Sequence, residues 1–440
     1  MPGLNSTNRN RFRSTLRIQT LEERAVPAVY TVSSINDTIA RDGKVTLREA
    51  ITAINNRAAS GDAVAGAWGT NTIRFDIPGN GVHKISLNSA LPPVNSTVII
   101  DGTTDSGYRG RPIIQIDGGR AGNADGLTLR GNNSVVKGLV VTNFRNNGIV
   151  VNSDGNTITN TWVGLDPSGY FDAGNKADGI QINGSRNTIG GSRASDRVVI
   201  SGNDGNGIHL SGSRVAYNKI QGNYIGTDFT GFASIANSTG IRIDSGSHHN
   251  QIGGTSASVR NVLAGNKVDQ ILLSGRGSNS NTIQGNYIGP DSSGEAASLS
   301  GRDGIRIEYG SSYNVIGGAT PGAGNLISGA AHMPGFSRTP IGAGIEIVGA
   351  GTTGNVIQGN RVGMDAAGLA KLENLGGGII IRGATGNTIG GNSRLAKNVL
   401  ADPKNSPGLS AMNQVLAPDW YVNSIVFKRN PSLVLGSFRE

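Results

Sequence analysis

Residues 218–228 have the sequence Asn-Lys-Ile-Gln-Gly-Asn-Tyr-Ile-Gly-Thr-Asp, and their first three positions recur along the chain. The triplet Asn-x-Ile appears eight times, at steps of 31, 31, 32, 31, 33, 41 and 32 residues, beginning at Asn156, Asn187, Asn218, Asn250, Asn281, Asn314, Asn355 and Asn387. A regular step of this length is typical of stacked units, each too small to hold a hydrophobic core alone. The spacing therefore predicts a solenoid.

Short runs of the form Gly-Ile-x-Ile identify the repeating unit. They occur at 240–243, 304–307 and 344–347, and their alternation of apolar and polar residues is the pattern of a β-strand. Gly, Asn, Ser and Asp, which favour tight turns, lie between the runs. The 68 glycines in 440 residues argue against helical repeats, because each would destabilise a helix interior by about 1 kcal/mol. Each unit is therefore predicted to be one coil of a parallel β-helix, with isoleucines stacked inside and asparagines stacked at a turn.

A second period overlies the first. Alternate units carry Gly-Asn-x-x-Gly-x-Asp-x-x-Gly, as at 222–231, whereas the others carry Asn-x-Ile-Gly-Gly, as at 250–254. These alternating units resemble the right-handed parallel β-helix repeats of bacterial surface proteins, which share the pectin-lyase-like fold. The resemblance covers about residues 120–400 and implies an all-β, right-handed parallel β-helix solenoid. It implies no single activity, because that fold hosts lyases, hydrolases, epimerases, adhesins and spacers.

The N-terminal region carries two further resemblances. Residues 1–28 are a basic segment without the continuous apolar stretch of a signal peptide. Their last part, Leu-Glu-Glu-Arg-Ala-Val-Pro-Ala at 21–28, resembles a short element found before the surface domains of many planctomycete extracellular proteins, which implies an exported protein. Residues 45–51 resemble the CSLREA motif that precedes β-helices in bacterial surface proteins, with Val45 and Thr46 in place of its Cys and Ser.

The same segment predicts a capping α-helix at about 46–58. Thr46 and Glu49 have the spacing of a capping box, and Leu47, Ile51 and Ile54 share one helical face. Such a helix would cover the open edge of the first coil. We expect a leader at 1–28, this cap and the first coils at 29–120, β-helix repeats at 121–400, and a C-terminal cap or a frayed tail at 401–440.

Composition limits the partners and the location. The net charge is +9, but the basic residues are scattered, so no nucleic-acid partner is predicted. Long-range attraction to acidic polysaccharides or cell-wall polymers is compatible with this charge. The chain has no cysteine, and no apolar run approaches the length of a membrane span. We expect an extracellular or cell-surface monomer without a transmembrane segment.

Aligning the Gly-Ile-x-Ile runs predicts two columns of outward-facing side chains. The first column is Gln181, His209, Arg242, Leu272, Arg306, Glu346 and Ile380, and the second is Asn183, Ser211, Asp244, Ser274, Glu308, Val348 and Arg382. Asp244 and Glu308 are the candidate catalytic carboxyl groups, with Arg306 as a partner for a sugar carboxylate. Two coils separate the carboxyl groups by about 10 Å, at or beyond the spacing in inverting glycosidases. His209, Arg242 and Glu346 are candidate ligand contacts. Alternatively, these charges only stabilise a polar sheet face.

The 41-residue step contains an insertion at 330–340 that is predicted to form a loop beside this face. Its His332, Phe336 and Arg338 are candidate sugar contacts, because insertions in solenoids often carry binding residues. Tolerated sequence drift is the alternative.

Neither a metal site nor a cofactor is predicted. Calcium is conceivable at the Asp-x-x-Gly segments, which begin at Asp166, Asp228, Asp291 and Asp365. A type I turn explains these segments, however, and aspartates two coils apart are too far from one another to share an ion.

The sequence favours a binding or structural role, with a polysaccharide as partner. The alternative is a polysaccharide lyase or glycoside hydrolase that acts on the outer face of the β-helix. A third hypothesis is a spacer that binds no ligand. An enzyme needs long loops that wall a cleft, and only one long loop is predicted.

Overall fold

The computed structural model describes residues 27–297, 301–331 and 342–401, together with the backbone of three short strands beyond them. The chain winds repeatedly through three parallel sheets, which we name sheets I, II and III in the order in which each coil visits them. Crossovers between parallel strands are right-handed. The fold is therefore a right-handed parallel β-helix, which confirms the prediction from the repeat.

Strands of similar length stack in register within each sheet. The described strands of sheet I are Val29–Val32, Asn71–Phe75, Val98–Asp101, Val135–Lys137, Thr157–Thr159, Thr188–Gly190, Lys219–Gln221, Gln251–Gly253, Thr282–Gln284, Val315–Gly317, Val356–Gln358, Thr388–Gly390 and Val422–Asn423. Those of sheet II are His83–Ser86, Ile114–Asp117, Leu139–Thr142, Trp162–Val163, Val199–Ile200, Tyr224–Ile225, Val262–Leu263, Tyr287–Ile288, Leu326–Ile327, Arg361–Val362, Val399–Ala401 and Val426–Lys428. Those of sheet III are Leu127–Leu129, Ile149–Val151, Ile180–Ile182, Ile208–Ser211, Ile241–Asp244, Asp269–Ser274, Asp303–Glu308, Ala343–Val348, Gly377–Arg382 and Leu409–Ala411.

Aliphatic side chains fill the space enclosed by the three sheets. The isoleucines of the Asn-x-Ile triplets pair with one another across successive strands of sheet I, as Ile220 does with Ile252, and both are fully buried. Each such side chain stabilises the folded state by about 1.5–3 kcal/mol relative to exposure to water. The core is thus a stack of thin layers, each of which is completed by its neighbours.

Asparagine ladders stabilise the corners between sheets. At the corner from sheet III to sheet I, the backbone N–H of Asn187 donates to Oδ1 of Asn218 at 2.8 Å, and the predicted asparagine stack repeats this bond down the chain. Two further ladders, which sequence reasoning missed, lie at the other corners. One links Asn223, Asn261, Asn286, Asn325, Asn360 and Asn398, and the other links Asn175, Asn203, Asn237 and Asn266. The side-chain amides supply hydrogen-bond partners to backbone groups that lose theirs where the chain bends between sheets.

The N-terminal α-helix, α1, spans Leu47–Asn56 and is shorter than the predicted range. Thr46 and Glu49 form the expected capping box, and Arg57 ends the helix in a left-handed conformation with φ 51°. Leu47, Ile51 and Ile54 are buried against the first strands of sheet I. The helix therefore closes the core at the start of the solenoid. Beyond it, four 3₁₀ turns are described, at Gly102–Thr104, Ala194–Asp196, Ala257–Val259 and Arg394–Ala396.

The Asp-x-x-Gly segments are type I turns, as the sequence indicated. In each, the glycine N–H donates to the aspartate carbonyl, as Gly231 does to Asp228 at 3.1 Å. The turns also contact one another, although they come from alternate coils, because the backbone of Phe229 donates to Gly169 at 3.1 Å. They form a row of stacked hairpins along the outside of the solenoid.

The ends of the chain are described only in part. Residues 1–26 lie outside the described structure, and so does most of 402–440. Three short C-terminal strands extend sheets III, I and II, pairing with Gly377–Arg382, Thr388–Gly390 and Val399–Ala401 respectively. Whether this region is a cap or a tail stays a prediction. Among the described residues, no helix is long and apolar enough to cross a membrane.

Candidate functional site

The predicted outward columns exist on sheet III. His209 pairs in register with Arg242, Arg242 with Leu272, Leu272 with Arg306, and Arg306 with Glu346. In the second column, Ser211 pairs with Asp244, Ser274 with Glu308, Glu308 with Val348 and Val348 with Arg382. Within the columns, the neutral side chains of Leu272 and Ser274 separate two charged groups, and Leu272 is buried.

The first ion cluster consists of Asp178, His209, Arg242 and Asp244. His209 lies between two carboxylates, with Nδ1 at 2.9 Å from Asp178 and Nε2 at 3.2 Å from Asp244. Nε of Arg242 donates to the other oxygen of Asp244 at 2.6 Å. Three successive coils are thus joined by one chain of charge-assisted hydrogen bonds.

These contacts determine the charge of each group. Burial alone would lower the pKa of His209, but the hydrogen bonds and charges of Asp178 and Asp244 outweigh it and raise the pKa to about 9. Burial opposes ionisation of Asp244 as well, yet the hydrogen bonds from His209 and Arg242 hold its pKa well below the usual range. At neutral pH, His209 is a fixed cation and Asp244 a fixed anion. Neither is suited to exchange a proton with a substrate.

The second ion cluster lies on the next coils and consists of Asp269, Arg302, Asp303, Arg306, Glu308, Glu346 and Arg382. Arg302 contacts two carboxylates, Asp269 at 2.7 Å and Asp303 at 3.3 Å. Arg306 contacts Asp303 at 3.2 Å and Glu308 at 2.5 Å, and it also pairs with Glu346. Arg382 binds the second oxygen of Glu346 at 2.8 Å.

This cluster has more anions than cations. Four carboxyl groups face three guanidinium groups, so one negative charge is uncompensated when all are ionised. Burial and the neighbouring Asp303 raise the pKa of Asp269 to about 6 despite Arg302, and burial raises that of Asp303 as well. Below about pH 6, a proton held by Asp269 balances the charge of the cluster.

The outer surface of the clusters offers both donors and acceptors. The side chains of Arg242, Arg302 and Arg382 are 39%, 29% and 21% exposed. Tyr309, directly after Glu308, is 72% exposed, and glycines occupy the same position on the flanking coils. An exposed tyrosine therefore directly follows the last charged residue of the strand Asp303–Glu308.

The structure separates several predicted site residues. Asp244 and Glu308 lie two strands apart, as expected, but each belongs to a different cluster and already pairs with its own arginine. Both carboxylates are therefore already ion-paired, and their role as catalytic carboxyl groups stays a prediction. His332, Phe336 and Arg338 lie outside the described residues, so their role as sugar contacts stays a prediction.

Sequence reasoning missed the buried part of the site. Asp269, Arg302 and Asp303 were not assigned to it, and neither was Tyr309. The sequence holds one pattern that identifies the buried aspartates. Two residues before the first isoleucine of a sheet III strand stands an aspartate, at Asp178, Asp269 and Asp303. Among the described residues, no three His, Cys, Asp or Glu side chains converge as metal ligands.

No protein-family model matches the sequence, and no curated protein matches it significantly. Among solved structures, the chain is similar to the A-module of the mannuronan C-5 epimerase AlgE4 of Azotobacter vinelandii. The identity is 14% over 88% of this chain and 100% of that one, with a TM-score of 0.49. It is also similar to a PL6-family polysaccharide lyase from Pseudopedobacter saltans, with 16% identity over 82% of this chain and 89% of that one and a TM-score of 0.38. At these values the similarity shows no function for this chain.

Proposed function

We propose that this chain is an extracellular β-helix protein that binds a polysaccharide on the outer face of sheet III, without cleaving it. The observation that carries the proposal is the strip formed by the two ion clusters and Tyr309. Its charges nearly cancel, so its chemistry suits hydroxyl groups, which both donate and accept hydrogen bonds.

The ion pairs favour binding because they hold the contact groups in place. Guanidinium groups with fixed partners are held in one orientation, so little conformational entropy is lost when a ligand arrives. The exposed ring of Tyr309 provides a flat apolar surface of the kind that ligand sites combine with a few polar groups. Successive contacts along the solenoid suit a long polymer better than a small molecule.

The same contacts argue against the alternative of a lyase or a hydrolase. A general acid needs a proton to donate at the working pH, and Asp244 is held in its ionised form by His209 and Arg242. The raised pKa of Asp269 would suit an acid, but its side chain is fully buried. Glu308 is paired with Arg306 at 2.5 Å.

Binding assays on the full chain with soluble neutral and acidic polysaccharides test the proposal, by affinity electrophoresis and calorimetry. We expect Arg302→Ala and Tyr309→Gly each to weaken binding at least tenfold. Tyr309→Gly is the cleaner variant, because Tyr309 has φ 52° and glycines stand at that position on the neighbouring coils. Tyr170→Ala, which removes an exposed tyrosine from the hairpin row, is the matched control.

Two results would contradict the proposal. Binding that is unaffected by both sheet III variants would place the polysaccharide elsewhere. Formation of new chain ends in any polymer, abolished by Glu308→Gln, would make the protein an enzyme.

A further inference from the structure

A second surface feature lies at the corner from sheet III to sheet I, outside both ion clusters. A groove of about 420 Å³ opens there between two successive coils, lined by Arg186, Thr188, Tyr217 and Lys219. We name these four residues the corner groove. Thr188 and Lys219 are register partners in sheet I, whereas Arg186 and Tyr217 directly precede ladder asparagines.

Side chains stack along the corner from coil to coil. The guanidinium of Arg186 lies 5.9 Å from the ring centre of Tyr217, whose ring lies 5.3 Å from that of His249 at an angle of 34°. His248 meets the edge of His249, with the ring centres 5.0 Å apart. Tyr217 is nevertheless 52% exposed. The result is a partly apolar ridge that follows the solenoid axis.

These side chains occupy a backbone position that favours glycine. Arg186, Tyr217 and His249 have φ values of 58°, 59° and 55°. Glycine fills the equivalent position, directly before the ladder asparagine, at Gly155, Gly354 and Gly386. The left-handed conformation is unfavourable for bulky residues, and such strain is typical of positions where the side chain itself is needed.

The groove also differs from sheet III in its charge. In the part of the chain that the structure describes, neither Arg186 nor Lys219 forms an ion pair with a carboxylate, and both are exposed. No carboxylate of the described residues therefore neutralises these two cations. They flank the ring of Tyr217 and the hydroxyl group of Thr188. Carboxylate and sulfate groups complement such a pair of cations, and a sugar ring can pack against the exposed ring of a tyrosine.

We infer that the corner groove is a binding site for an anionic saccharide, with Arg186 and Lys219 on its acidic groups and Tyr217 against a sugar ring. This site takes the same class of polymer as the proposed function, but it rests on different residues. It gives the protein a preference for acidic chains that the nearly neutral strip on sheet III does not provide.

Calorimetry with the full chain tests the inference, using an oligogalacturonate for carboxylate groups, a heparin-derived oligosaccharide for sulfate groups and a cello-oligosaccharide as the neutral comparison. We expect one of the acidic probes to bind, and Arg186→Gly, Tyr217→Gly and Lys219→Gln each to weaken that binding at least tenfold. The two glycine variants should fold at least as well as the wild type, because glycine occupies that position on other coils. Arg120→Gln removes an exposed positive charge elsewhere and should leave binding unchanged.

The inference is overturned if neither acidic probe binds, if the groove variants bind like the wild type, or if Arg120→Gln weakens binding as much as they do. Its failure can be separated from that of the proposed function. Binding that depends on Arg302 and Tyr309 but not on the groove would leave the proposed function standing alone. Binding of an acidic probe that depends only on the groove would leave the inference standing alone.

Discussion

Asp269 and Asp303 are register partners on adjacent strands of sheet III, and both of their side chains are buried. Two carboxyl groups so close together cannot both ionise without cost, even with Arg302 in contact with each. The second ion cluster therefore takes up a proton in the pH range where most carboxyl groups have lost theirs. This makes the stability of the solenoid dependent on pH.

The first prediction concerns Asp269. Because its pKa is raised to about 6 in the folded state, its protonated form favours folding. That contribution is complete below about pH 4 and is lost as the pH rises through about 6. We expect Asp269→Asn to flatten this decline in the free energy of unfolding between pH 4 and pH 7, measured by urea denaturation. Asp204→Asn, at a half-exposed carboxylate, should keep the slope of the wild type.

The second prediction concerns His209, whose pKa is raised to about 9 by Asp178 and Asp244. Its contribution to stability is complete below about pH 6.5 and is lost as the pH rises through about 9, a change on the order of 2–3 kcal/mol. NMR titration of the imidazole should show the raised pKa directly. His209→Gln should remove the alkaline loss of stability, whereas His248→Gln should not. A His209 that titrates near pH 6.5 would contradict the geometry of the first ion cluster.

A third prediction tests the asparagine ladder. Asn250 accepts from the backbone N–H of Asn218 at 3.0 Å and donates to Oδ1 of Asn281 at 3.0 Å. Asn250→Ala leaves a buried donor without its acceptor, so we expect a loss of about 2 kcal/mol in the free energy of unfolding. Asn183→Ala, at an exposed asparagine on the same corner, should change it by less than about 0.5 kcal/mol. Equal losses of unfolding free energy in the two variants would mean that the ladder stabilises the fold no more than an exposed asparagine does.

The fourth prediction tests the N-terminal cap. The buried carboxylate of Glu49 accepts from the backbone of Ala40 at 2.7 Å and of Thr46 at 2.9 Å. Glu49→Ala removes both acceptors and should destabilise the protein by about 2–3 kcal/mol in chemical denaturation. Glu295→Ala, at an exposed glutamate on the hairpin row, should be nearly neutral. If Glu49→Ala leaves the free energy of unfolding unchanged, α1 does not unfold cooperatively with the rest of the protein.

Much of the fold could be predicted because the solenoid repeats itself. The step between asparagines fixes the length of a coil, and alternation at period two fixes which residues face inward. Together they place His209 beside Arg242 and Arg306 beside Glu346, and the register of sheet III confirms both pairs. The capping box at Thr46 and Glu49 is a local pattern, so it too could be recognised in advance.

The sequence by itself determined the repeat, the inward isoleucines and the outward columns, because these depend only on periodicity. The tertiary structure decided which charges meet and which of them are buried. Asp178 reaches His209 from 31 residues away, and Arg302 reaches Asp269 across 33, at strand ends where the alternation stops and the side-chain direction is set by the corner. Burial then fixes the protonation of Asp269, and burial is a property of the assembled coils rather than of any one of them.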